Sequence, residues 1–122
     1  MQTTINYGFK KPDGTDEMKI ADINDNFDSI DSILTHMILY GACSGSANAY
    51  TVTVNTTSMV YTEGMGIAIK INVDNTGAST INVNNMGIRA ILNQSGNNLA
   101  AGTLKANIIY TLRYNGSEFI IQ

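Results

Sequence analysis

The sequence predicts an α+β protein that is mainly β, with a short N-terminal arm and a heptad helix followed by an antiparallel β-sandwich or barrel-like head domain. Apolar residues between positions 20 and 37 recur at helical spacing, and the pattern alternates with a period of two after position 48. Only 14% of the residues are charged, and the Asn, Thr, Ser and Gly that replace them suit turns and sheet surfaces. We divide the chain into an arm (1–15), a helix (16–40), a linker (41–48) and a β head (49–122).

The arm contains the turn-forming sequence Pro12-Asp13-Gly14, in which proline presets φ and glycine accepts a positive φ. Fifteen residues are too few to fold alone, so the prediction is an extended segment that packs on another protein or frays. Tyr7 and Phe9 are its predicted anchors, with Pro12 beside them.

The helix has apolar residues at alternating intervals of three and four, which is the spacing of a heptad seam. Polar and acidic residues fill the positions between them, including Asp22, Asp25, Asp28 and Asp31. Two interpretations stay open: a parallel bundle of identical chains, or packing of the helix on its own β domain. Isoleucine at several seam positions favours more than two helices in a bundle. The predicted seam consists of Ile20, Ile23, Phe27, Ile30, Leu34 and Met37.

The head shows short alternating segments separated by Gly- and Asn-containing turns, a pattern typical of an antiparallel sandwich or barrel. Asn115-Gly116 predicts a tight type I′ hairpin, because both central positions of that turn need positive φ. The predicted strands are 49–55, 67–73, 80–83, 88–92, 108–114 and 118–121.

The residues that perform chemistry are scarce. One histidine, His36, and one cysteine, Cys43, supply neither a metal-ligand cluster nor a nucleophile with an oriented base. The head has three acids (Glu63, Asp74 and Glu118), with no spacing that pairs them. We therefore predict no enzyme activity, no cofactor and no metal. With a net charge of −3 and no basic run, nucleic acid is not an expected partner, and no apolar run approaches the 18 or so residues of a membrane span.

Tyrosines in the head raise one binding hypothesis. Aromatic faces beside amide side chains are the usual components of glycan sites, although tyrosines are also ordinary strand residues. The candidate glycan contacts are Tyr50, Tyr61, Tyr110 and Tyr114.

Four segments carry a resemblance to a known group of proteins. The segments YGFKKPDGTD (7–16) and INDNFDSID (23–31) resemble the start of tail-fibre, baseplate and head-fibre type appendage proteins of phages and prophages, and NTGASTINVN (75–84) with YNGSEF (114–119) resembles their β module. Those proteins often have glycine where this chain has Asn85 and Asn107.

The resemblance implies a homotrimer on the virion, made in the cytoplasm of the bacterial host. Its arm would dock on another virion structural protein, and its β domains would point outwards. The expected function is thus a non-enzymatic structural one, a short trimeric fibre or adaptor on the tail, baseplate or head. The alternative is a receptor-binding head that recognises host cell-surface glycan.

Overall fold

The fold was obtained as a computed structural model, which describes residues 1–17, 19–35, 38–54 and 60–122. The chain divides into two compact units, Met1–His36 and Met37–Gln122. The first contains a small hairpin and one helix, and the second is a closed β-barrel. The predicted α+β, mainly β class is therefore confirmed.

The N-terminal segment is a hairpin, so the prediction of an extended arm over 1–15 is wrong. Strands β1 (Gln2–Thr3) and β2 (Lys10–Lys11) pair antiparallel. The Thr4 amide donates to the Phe9 carbonyl (2.9 Å), and the Thr4 hydroxyl accepts from the Phe9 amide (3.0 Å). Gly8, with φ of 68°, lets the chain reverse within this loop.

Helix α1 spans Ile20–Thr35, which is shorter than the predicted 16–40. Its start is marked by the Lys19 carbonyl, which accepts from the Asp22 amide at 3.0 Å. Asp22 lies in the first turn, where a carboxylate interacts favourably with the positive end of the helix dipole.

The barrel contains seven strands, which follow one another around the ring in the order β3-β4-β6-β7-β9-β8-β5. Strand β5 closes the ring by pairing with β3. The strands are β3 (Ile38–Ser46), β4 (Ala49–Val52), β5 (Gly66–Lys70), β6 (Ser79–Val83), β7 (Ile88–Leu92), β8 (Ile109–Tyr114) and β9 (Phe119–Ile121).

Strand direction differs from the prediction of an antiparallel head. The β3–β5, β4–β6 and β7–β9 pairs are parallel, and the other four are antiparallel. Alternation of apolar and polar residues is the same in both arrangements, so the sequence pattern could not specify direction.

The predicted linker over 41–48 is also wrong, because most of it belongs to β3. Gly41 suggested the end of a helix, yet it is a buried, inward-facing strand residue. A Cβ atom built there would lie 2.5 Å from Cγ2 of Val52 and 2.8 Å from the Thr53 carbonyl oxygen. Glycine is thus required at position 41 because neighbouring β4 approaches so closely.

The core fills the inside of the barrel with alternate residues of its strands. The predicted apolar face of β5 is confirmed at Ile67, Ile69 and Ile71, which are at most 1% exposed. Around them lie side chains from the other strands and loops, among them Val52, Ile81, Val83, Ile91, Leu104, Leu112 and Phe119.

Asparagine occupies several turns that require positive φ. Asn84 (51°) and Asn85 (57°) form a tight turn closed by the Met86 amide and the Val83 carbonyl, 2.9 Å apart. Asn107 has φ of 67°. Asparagine tolerates this conformation better than most residues. This explains why asparagine can occupy positions 85 and 107, where the appendage proteins that the chain resembles often have glycine.

The hairpin predicted at Asn115-Gly116 is present between β8 and β9, but its turn is not type I′. Gly116 has positive φ and Asn115 does not. The Asn115 carboxamide oxygen instead accepts from the amides of Ser117 (3.0 Å) and Glu118 (2.8 Å). The longer turn is therefore held by a side chain, as in other Asx turns.

Candidate functional site

The most distinctive surface of the first unit is the apolar stripe of α1, formed by Ile20, Ile23, Phe27, Ile30 and Leu34. Ile20 is 76% exposed, Phe27 63% and Leu34 53%, whereas Ile23 is half-buried. The sixth predicted seam residue, Met37, lies outside the described residues. Within the described part of this single chain there is one helix, so the predicted coiled coil is not present in it.

The polar side of α1 holds the hairpin. The Asn26 carboxamide oxygen accepts from the Lys10 amide, and its nitrogen donates to the Lys10 carbonyl, both at 2.8 Å. The Lys10 ammonium pairs with Asp25 and, at 2.8 Å, with Asp22. These two carboxylates raise the pKa of Lys10. The hairpin is thus fixed to one side of α1, and two of the four predicted acidic positions serve this contact.

The hairpin loop presents the predicted docking residues as a small apolar tip. The rings of Tyr7 and Phe9 stack with centroids 5.9 Å apart. Tyr7 is 66% exposed, and neighbouring Ile5 is fully exposed. Pro12 is exposed and lines, with Ile23, a groove of about 190 Å³ between hairpin and helix.

Replacing Asn26 by alanine should loosen this hairpin without disturbing the barrel. The substitution removes both hydrogen bonds to the Lys10 backbone, and we expect hydrogen exchange at the Lys10 amide to become roughly tenfold faster. Exchange resolved by NMR measures this directly. The exposed Asn24 provides the control, since Asn24→Ala changes the same helix without touching Lys10; equal exchange in the two variants would contradict the assigned role of Asn26.

The four candidate glycan tyrosines do not form one surface. Tyr50 is 1% exposed and Tyr114 is 6% exposed, so neither has a ring face available to a sugar. Tyr61 is half-buried against Tyr114 (centroids 5.3 Å apart), and the Arg89 guanidinium covers it at 5.2 Å. For Tyr50 and Tyr114 the prediction of sugar stacking is therefore wrong.

The hydroxyls of these tyrosines hold the backbone together. Tyr50 donates to the Val73 carbonyl (2.8 Å), and Tyr61 donates to the Gly87 carbonyl (2.6 Å). Tyr110 accepts from the Lys105 amide at 3.0 Å, and Tyr114 donates to the Gly116 carbonyl at 3.1 Å. The tyrosines join strands to the loops at the barrel ends, which is a structural role.

Asn75 is the polar residue that sequence reasoning missed. It is 2% exposed, and its carboxamide accepts from the Leu104 amide (2.8 Å) while donating to the carbonyls of Gly77 (2.9 Å) and Ala100 (3.0 Å). Its backbone pairs with Leu104 and Gly102. Asn75 therefore joins the turn after β5 to the long loop before β8. The sequence around Asn75 is typical of a turn, so its side chain was expected to be exposed.

Reactive groups are few in the described part of the chain. Cys43 is buried, and burial raises the pKa of its thiol to about 11, so the reactive thiolate is rare near neutral pH. His36, the other residue weighed for chemistry, lies outside the described residues. Among the residues with described positions, no three His, Cys, Asp or Glu side chains are grouped for metal binding, and no helix has the length and apolarity to cross a membrane.

Comparison with known proteins adds no assignment: no protein-family model matches the chain, and no curated protein matches it either.

Proposed function

We propose that the protein is a non-enzymatic structural component of a bacteriophage virion, a short trimeric fibre or adaptor on the tail, baseplate or head. The observation that carries the proposal is the exposed apolar stripe of α1. Phe27 and Leu34 are exposed for more than half of their surface although they occupy heptad positions. Large apolar side chains aligned in this way are typical of an interface with another molecule.

The spacing of the stripe supports another copy of the same helix as the partner. Intervals of three and four keep the apolar residues on one side when parallel helices supercoil. Isoleucine occupies both apolar positions of the heptad, position a at Ile20 and position d at Ile23 and Ile30. This favours a bundle of three or more helices over one of two. A trimer satisfies the pattern and agrees with the resemblance described above.

The other surfaces support a structural role within such a trimer. Fixed to α1 by Asn26, the hairpin offers the apolar tip of Tyr7 and Phe9 to another virion protein. The barrel has its tyrosine hydroxyls and buried Asn75 occupied by internal hydrogen bonds. A rigid, low-charge head of this kind is suited to display outside a cell.

The proposal is tested on particles of the phage or prophage that encodes the chain. Mass spectrometry of purified particles should detect the protein, and Fab fragments raised against the folded barrel should decorate intact particles in electron micrographs. Particles made without the gene provide the matched control. Absence of the chain from purified particles would contradict the proposal.

A further inference from the structure

The barrel carries an exposed apolar area of its own, on the outer side of strands β3, β5 and β8. Register fixes which residues are neighbours there: Tyr40 lies beside Ala68, and Ala68 beside Thr111. One row along, Ala42 lies beside Lys70, and Lys70 beside Ile109. Together with Ile38, Gly66 and Arg113 in the row before, these residues define what we call the outer face.

Exposure and charge distinguish the outer face from an ordinary barrel surface. Ile38, Tyr40 and Ile109 are 51%, 54% and 55% exposed, and they lie close together, within three adjacent rows of neighbouring strands. Its two cations, Arg113 and Lys70, lie in the first and last rows, and no acid lies on the outer side of these three strands. Aromatic residues and arginine are enriched in protein interfaces, and acids are depleted there.

We infer that the outer face packs against the barrel of a neighbouring copy within the trimer, an inference that rests on the helical trimer of the proposed function. The covalent chain supports this choice of partner. Only two residues separate Thr35, the end of α1, from Ile38, the start of β3. Three residue steps span at most about 11 Å, so three helices bundled in parallel start their three β3 strands close to one another.

The outer face is too small to hold two barrels together unless the helices are already associated. Three strands about 4.8 Å apart and five residues long cover roughly 230 Å². A stable interface needs about 800 Å² from each partner, so the outer face alone cannot hold two chains together. Once the helices associate, the barrels are at high effective concentration and a small apolar contact suffices. The outer face should therefore be covered in the trimer and exposed in a monomer.

The experiment measures maleimide labelling of a cysteine introduced on the outer face. In a Cys43→Ala background, Ala42→Cys places the thiol on β3. The control is Ile88→Cys on β7, three strands from β3 around the ring, where the isoleucine side chain is 66% exposed. Each variant is labelled with and without Phe27→Asp, which separates the helices, and its mass is followed by sedimentation. Thr111→Cys on β8 repeats the test should Ala42→Cys fail to fold.

The expected result is that Ala42→Cys reacts at least about tenfold more slowly in the trimer than in the Phe27→Asp monomer, equivalent to about 1.4 kcal/mol for opening the contact. Ile88→Cys should react equally in both. If the chain sediments as a trimer while Ala42→Cys reacts at the monomer rate, or both positions are slowed alike, the outer face is not the contact and the trimer still stands. If the unmodified chain sediments as a monomer, the proposed function itself fails.

Discussion

Replacing Phe27 by aspartate is expected to convert the protein from a trimer of about 39 kDa, three times 13.1 kDa, into a monomer. Phe27 occupies the middle of the apolar stripe and is 63% exposed in the single chain. Each copy would lose roughly 1.5–3 kcal/mol of apolar burial and would place a carboxylate without a partner in the seam. Three such charges meeting at one level of the bundle repel one another as well. Sedimentation equilibrium measures the change in mass.

Ser29→Asp is the matched control for this substitution. Ser29 is exposed on the polar side of α1, where its hydroxyl donates to the Asp25 carbonyl at 2.8 Å. The variant adds the same charge to the same helix two residues away, and we expect it to remain trimeric. A Phe27→Asp protein that sediments with the mass of the unmodified trimer would exclude the stripe as the interface.

Replacing Asn75 by alanine is expected to destabilise the barrel by about 3 kcal/mol. The substitution leaves the buried Leu104 amide without its side-chain acceptor and removes two further hydrogen bonds, to Gly77 and Ala100. In a unit of this size about 3 kcal/mol corresponds to roughly 15 °C in the melting temperature. Thermal unfolding followed by circular dichroism measures the shift.

Asn115→Ala is the control, because the Asn115 carboxamide also hydrogen-bonds to the backbone, accepting from two amides, but lies in an exposed turn. Water can replace its contacts, so we expect a loss of about 1 kcal/mol or less. Equal melting temperatures for the two variants would contradict the role assigned to Asn75.

Replacing Asn75 by aspartate should make the stability of the barrel depend on pH. Burial raises the pKa of a carboxyl group above its ordinary value of about 3.9, so the folded state prefers the protonated form. The variant should therefore be most stable in acid and lose stability as the pH rises through the folded-state pKa.

The local periods of the sequence were sufficient to place many elements. Strand β7 was predicted with its observed bounds, and β6 and β8 to within one residue, because alternation depends only on which side of a strand is buried. The inward side of β5 followed from the same reasoning. Helix α1 was predicted from the spacing of its apolar residues, although the predicted range of 16–40 is longer at both ends than the observed Ile20–Thr35.

Other features depend on contacts between distant residues, which no local period contains. The parallel pairing of β3 with β5 arises from ring closure, and Gly41 looked like a helix end because its close neighbour Val52 is eleven residues away. The hairpin depends on Asn26 meeting Lys10, and the burial of Asn75 depends on a loop 29 residues away. The tyrosines were misjudged for the same reason, since burial of Tyr50 and Tyr114 follows from barrel closure.

In the proposed trimer, α1 joins three copies of the chain. Sedimentation equilibrium over a range of concentrations, which gives the mass of the unmodified 122-residue chain in solution, tests this association. We expect a single species of about 39 kDa, three times the 13.1 kDa of one chain, which dissociates to the monomer only on dilution. A constant mass of 13.1 kDa at every concentration would contradict it.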